Sequence, residues 1–198
     1  MSMRNRSHRI VSGRSPVLDS ELNGELWVAN LLRTIAWRLV KGLVERRFPE
    51  VPRISTEELA NWLASDRRPD PVLIDVRQAE EYAVSHLPQA RHLTTVEAIQ
   101  QAAVPQEATL VLYCSVGYRS ARLAEKLQAA GYSHVMNLEG SIFEWYNQGH
   151  PVVAEGDPVS QVHPYSRTWG LLLASSRQAS QWGKSSGRSM SGKAESKP

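Results

Sequence analysis

The sequence predicts an α/β domain built on a parallel sheet of about five strands with helices on both faces, and an N-terminal amphipathic helix ahead of it. Two observations carry this. From residue 51 to about 155, short apolar runs alternate with segments of helical spacing, and strands alternating with helices imply crossovers and a parallel sheet covered on both sides. The strongest run, Thr109-Leu110-Val111-Leu112-Tyr113, is almost continuously apolar and β-branched, the texture of a strand buried on both faces.

The elements follow in order. Residues 1–20 open with an Arg- and Ser-rich stretch that has no acid before Asp19, read as a basic disordered arm or, over 1–16, as a targeting segment. Residues 21–47 read as one long helix, because Val28, Leu31, Leu32, Ile35, Leu39 and Leu43 recur at spacings of three and four; Pro49 and Pro52 end it. Ser55 and Glu58 form a capping box for a helix through Leu59, Trp62 and Leu63. Val72-Leu73-Ile74 reads as a buried strand ending at Asp75, Glu80 to Val84 as a short helix, and Arg91-His92-Leu93 as a short strand. A helix from Ser120 to Ala130 stops at Gly131. Val135-Met136-Asn137 is the last strand and Ile142 to Tyr146 the last helix. Residues 156–198 read as a mostly disordered tail: Ser175 to Pro198 holds eight serines, three glycines and five basic residues, too little apolar surface to offset the entropy of ordering.

Composition excludes several classes. A single cysteine rules out an internal disulfide and a zinc site made of several thiolates, which fits a cytoplasmic protein. The formal charge of +3 divides into +4 over residues 1–50, −5 over 51–155 and +4 over 156–198. A nucleic-acid-binding domain concentrates positive charge on its folded face, so no nucleic-acid partner is expected. The basic residues of 21–47, with Trp27 and Trp37 beside the apolar stripe, fit two arrangements: a helix docked on the domain or a second subunit, and a helix making peripheral contact with a membrane surface.

The chemistry converges on Cys114. It ends the strongest strand, and a helix begins a few residues later, so Cys114-Ser115-Val116-Gly117-Tyr118-Arg119 lies in the crevice at the carboxyl end of a parallel strand. A short loop of this kind can turn its N–H groups inward as an anion nest, and the following helix adds partial positive charge at its start. Both favour a thiolate, the reactive form of cysteine. Gly117 permits a tight cradle, and Arg119 supplies a permanent charge for an oxyanion. A lone cysteine after an apolar run is otherwise well read as a small buried hydrophobe; the loop around it favours the nucleophile.

That loop resembles the C-x-x-G-x-R-S active-site loop of single-domain rhodaneses. Leu73-Ile74-Asp75-Val76-Arg77, the segment from Glu81-Tyr82 to His86-Leu87-Pro88 and Ala90, and the stretch from Leu138-Glu139-Gly140 through Trp145 to Gly149-His150-Pro151-Val152 are similar to the family's other motifs. Ser85, Gln89 and Ser141 stand where glycines are usual. The resemblance implies a two-step sulfur relay. Cys114 takes the outer sulfur of a small donor anion such as thiosulfate, and the persulfide passes it to cyanide, an external thiol or a protein acceptor, with no metal and no organic cofactor. Ser115, Val116, Gly117, Tyr118, Arg119 and Ser120 form the substrate cradle, and Asp75 and Arg77 support it, Arg77 by pairing with Glu80 or Glu81. The alternative is a non-catalytic binding or regulatory module on the same fold. A phosphatase is disfavoured: that chemistry uses C-x5-R, and only four residues separate Cys114 from Arg119. His86 is expected to stabilise a turn and Trp145 to pack the last helix. Tyr118 lines the pocket mouth or faces solvent.

Overall fold

The computed structural model describes residues 16–65 and 69–174, with side chains from residue 27 onward. The element order is α1 (Pro16–Arg47), β1 (Arg53–Ile54), α2 (Thr56–Leu63), β2 (Val72–Asp75), α3 (Ala79–Val84), β3 (Arg91–His92), α4 (Val96–Gln101), β4 (Leu110–Tyr113), α5 (Tyr118–Ala129), β5 (Val135–Leu138), α6 (Ser141–Asn147), β6 (Val152–Ala154), β7 (Asp157–Val159) and α7 (Arg167–Gly170). The five-stranded sheet runs β1-β5-β4-β2-β3, every pair parallel. The expected architecture is therefore present, with β4 at its centre.

Alternation along β4 builds the two layers. Leu110, Leu112 and then Cys114 face one core with Ile74, Ala124 and Leu127. Val111 and Tyr113 face the other, with Leu59, Leu138, Ile142 and Phe143. The period of two is a property of extended chain, so the apolar run itself fixes which layer the thiol enters. The capping box of Ser55 and Glu58 forms as expected, with both reciprocal bonds made.

Three expectations need correction. Helix α1 begins at Pro16 rather than 21, a position where proline's missing N–H costs nothing; the expected arm over 1–15 lies outside the described residues. The apolar stripe, for which the sequence leaves docking and membrane contact both open, is exposed rather than buried in a docking contact. The chain divides into compact units at Ile35 and Ala36. In the first, Trp27, Val28, Leu31, Leu32 and Ile35 are solvent-exposed; in the second, Leu39 and Leu43 are exposed, while Val44 is buried and Ala36, Trp37 and Val40 pack on the core. Lys41 on that face bridges Glu139 at 3.1 Å and Glu144 at 2.8 Å. Finally, the tail is ordered as far as residue 174. The antiparallel pair β6–β7 continues the chain, Val162 and Leu172 are buried, and Asn147 fixes the segment by donating to Leu172 O at 2.7 Å and accepting from Ala174 N at 2.6 Å. Residues 175–198 lie outside the described residues.

Candidate active site

Cys114 sits one residue past β4, 1% exposed. The chain then curls through Ser115 and Val116 to Gly117, which caps α5 at φ 105°, a left-handed conformation that favours glycine. The turn brings the Gly117 N–H to 3.2 Å from the Cys114 sulfur. The outer side of the loop is tied down by the start of α6, whose Ile142 and Phe143 amides donate to Cys114 O and Ser115 O, each at 3.2 Å. Ser141 completes the tie: its Oγ accepts from Cys114 N at 3.2 Å and donates to Leu138 O at 3.0 Å.

Burial alone would push the Cys114 thiol up. It is outweighed by the Arg119 charge, the Ser120 hydroxyl, and the Ser120 and Gly117 amides, which bring it below the ordinary thiol value. Ser120 Oγ is buried and has no hydrogen-bond partner among the described residues, so its proton is available to the sulfur. The expectation that loop amides and a helix start favour the thiolate thus has a geometry behind it.

Arg119 is more constrained than the sequence suggested. Its Nη1 and Nη2 donate to both oxygens of Glu81 at 2.7 and 2.8 Å, and Nη2 also donates to Ser115 Oγ at 3.0 Å. Ser115 Oγ in turn donates to Glu81 at 2.9 Å. Desolvation would raise the Glu81 carboxyl, but the Arg119, Gln78 and Ser115 donors hold it down to about 2. The Tyr165 ring lies 4.8 Å from the Arg119 guanidinium carbon.

Asp75 and Arg77, both fully buried, do not touch the thiol. Arg77 donates to Asp75 through Nε, Nη2 and its backbone N–H at 2.7–3.1 Å and through Nη2 to Ser85 O. This corrects the expected pairing of Arg77 with Glu80 or Glu81: Glu81 belongs to Arg119. Their part is to hold the end of β2 beside β4, where Asp75 and Tyr113 are in register. His86 stacks on Tyr82 at 3.9 Å with its Nδ1 3.1 Å from Tyr82 O, a turn role. Trp145 is buried and donates to Pro151 O at 2.8 Å. Tyr118 does both things left open: it is exposed, meets the Phe48 ring edge-on at 5.2 Å, and lines the mouth above Cys114. Glu81 and Ser141 as partners of the loop were missed, since neither is near Cys114 in sequence.

Residues 55–148 match the rhodanese-like domain family. A sulfurtransferase of Allochromatium vinosum is 34% identical over 105 residues, spanning 52% of this chain and 96% of that protein. The chain belongs to the rhodanese family. A probable adenylyltransferase/sulfurtransferase of Mycobacterium tuberculosis is 37% identical over 102 residues, half of this chain but a quarter of that one. Among solved structures, a rhodanese-like domain protein from Staphylococcus aureus is 30% identical over 54% of this chain and 95% of its own, with a TM-score of 0.43. The three departures from the rhodanese glycines now have an account. Gln89 and Ser141 keep positive φ, 62° and 51°, so the turns survive at some strain. Ser85 is extended at φ −174°, a conformation open to any residue.

Proposed function

We propose that this rhodanese is a sulfurtransferase that carries a sulfane sulfur as a persulfide on Cys114. The observation that carries the reading is the buried thiol with the Gly117 amide at 3.2 Å and, beside it, the Ser120 hydroxyl, which has no hydrogen-bond partner among the described residues. The Cys114 thiolate attacks the outer sulfur of a donor such as thiosulfate. The sulfur–sulfur bond of the donor breaks, and sulfite leaves with the electron pair. The Gly117 and Ser120 donors stabilise the charge on the new terminal sulfur. An acceptor thiolate or cyanide then attacks that sulfur and returns Cys114 to its thiolate. The sequence has no second cysteine, so the acceptor is external: a small thiol, cyanide or a protein. Incubation with thiosulfate should add the mass of one sulfur to the intact chain, and Cys114→Ser should add none. A protein that stays at its starting mass would be the non-catalytic module instead.

The exposed apolar residues of α1, Trp27, Leu31 and Leu32 in the first unit and Leu39 in the second, are proposed to make peripheral contact with a membrane surface. No helix among the described residues is long and apolar enough to cross one. Sedimentation with anionic vesicles should pellet the full chain, and Leu32→Glu with Leu39→Glu should release it. Full-length protein that stays in the supernatant would refute the contact.

A further inference from the structure

The space above Cys114 opens through a rim that belongs to the exposed surface of the chain. It measures about 220 Å³, with Cys114 and Arg119 at its floor, and Val40, Leu43 and Val44 of α1 and Tyr165 and Trp169 of the C-terminal segment along its sides. These five side chains lie outside the family-matched residues 55–148. Three side chains of the rim are turned outward: Leu43 is 59% exposed, Tyr165 50% and Tyr118 39%. Both rings are held in place, Tyr118 edge-on against Phe48 at 5.2 Å and Tyr165 at 4.8 Å from the Arg119 guanidinium carbon. The rim is therefore formed before anything meets it.

The last turns of α1 continue this apolar rim. Lys41 reaches Glu139 and Glu144 and Val44 enters the core, which fixes one side of the helix inward. Leu39 and Leu43, one turn apart, share the other side, and Leu39 is 69% exposed. Arg38 and Arg46 flank them, both exposed, and neither makes an ion pair among the described residues. Glu45, the only acidic residue of 36–47, is taken by Arg53 at 2.7 Å. Arg167, between Tyr165 and Trp169 in sequence, is exposed as well. Apolar side chains edged by unpaired cations, with Tyr and Trp rings beside them, suit an anionic lipid surface. The aliphatic groups enter the acyl boundary, the cations meet headgroups, and the amphipathic rings sit between.

We propose that the mouth of the Cys114 cavity is part of the surface that meets an anionic lipid interface. Docking then covers the mouth and closes the thiol to reagents dissolved in water. The inference rests on the membrane contact proposed above and adds to it the place of the sulfur site within that contact. Leu43 makes the connection, because it stands in the outward line with Leu39 and also on the cavity rim. The chain free in solution exchanges with soluble small molecules at Cys114, and the docked chain does not.

Iodoacetamide, a small neutral reagent, measures access to Cys114, the only cysteine of the sequence. The full chain is mixed with phosphatidylcholine–phosphatidylglycerol vesicles at a lipid concentration that pellets about nine-tenths of it, and only the undocked fraction stays competent to react. Its alkylation rate, taken relative to that of glutathione in the same suspension, should then fall about tenfold. Arg38→Glu with Leu39→Glu changes two exposed side chains outside the cavity lining, so the fold and the rate without vesicles should match the wild type. With vesicles, this double variant should keep that rate. An unchanged rate in wild-type chain that pellets overturns the covered mouth and leaves the membrane contact standing. Wild-type chain that remains in the supernatant overturns both. Slowing that grows with protein concentration in the absence of lipid would seat a second copy of the chain on this face, and overturns the lipid surface. Protection that persists in the double variant places the cover away from Leu39 and overturns the proposal too.

Discussion

At Cys114, burial resists ionisation, while Arg119 and the Ser120 and Gly117 donors favour it. The favourable side wins because the donors are fixed before any substrate arrives: α5 cannot form from Tyr118 without turning Gly117 and Ser120 toward the sulfur. Ser120→Ala removes a hydroxyl that has no hydrogen-bond partner among the described residues. Its alkylation by iodoacetamide should rise with pH through a higher midpoint than in the wild type, while the wild-type midpoint lies below that of an ordinary thiol. An unchanged midpoint would mean that the hydroxyl does not reach the sulfur. This residue-scale chemistry was largely legible in advance, because Cys114 to Ser120 are contiguous and a strand–loop–helix dictates where its amides point. The role of Arg119 was only half legible. The sequence shows a cation six positions into the loop, but its partner Glu81 lies 38 residues away.

Among the elements, the end of α1 is the clearest case of tertiary packing overriding periodicity. Two apolar faces compete on this helix, and the one with more large side chains is left in water. Val44, with Phe48 and Val51 just beyond the helix, enters the core instead, because Pro49 and Pro52 turn the chain there and bring those side chains under α5. Phe48 is 2% exposed and touches Tyr118. Phe48→Ala should lower the unfolding free energy by about 3–5 kcal/mol, measured by denaturant titration at constant m. A loss below about 1 kcal/mol would mean that the contact with α5 is loose. Composition alone could not choose between the faces, since both are apolar at helical spacing and the choice depends on what the rest of the chain leaves uncovered. The same limit applies to residues 156–174. Their few apolar side chains read as a tail until Asn147 and Tyr146 are seen to bond their backbone, Tyr146 OH donating to Ser160 O at 2.7 Å.

At the scale of the whole molecule, stability is linked to pH through Glu81, 2% exposed. Its folded carboxyl is held to about 2, below its unfolded value of about 4.3. The contribution of its ionised form is therefore complete above the unfolded value and lost as pH falls toward the folded one. Glu81→Gln should be less stable than the wild type at pH 7 by on the order of 3 kcal/mol, and the gap should narrow between about pH 4.5 and pH 2. Denaturant titrations of both proteins at pH 7 and pH 3 check this; a gap that stays constant would show that the ion pair with Arg119 is not linked to folding. The sequence by itself determined the parallel α/β sheet, the position of Cys114 at the end of its central strand and the donors that follow it. These depend on local periodicity and on neighbours within one loop. Only the tertiary structure decided that Glu81 pairs with Arg119 and not Arg77, that Ser141 holds the Cys114 amide, and that α1 and the Tyr165–Trp169 segment wall the site. Each joins residues far apart in sequence, and such partners are set by the register of β2, β4 and β5 and by how the layers pack, which no local pattern records.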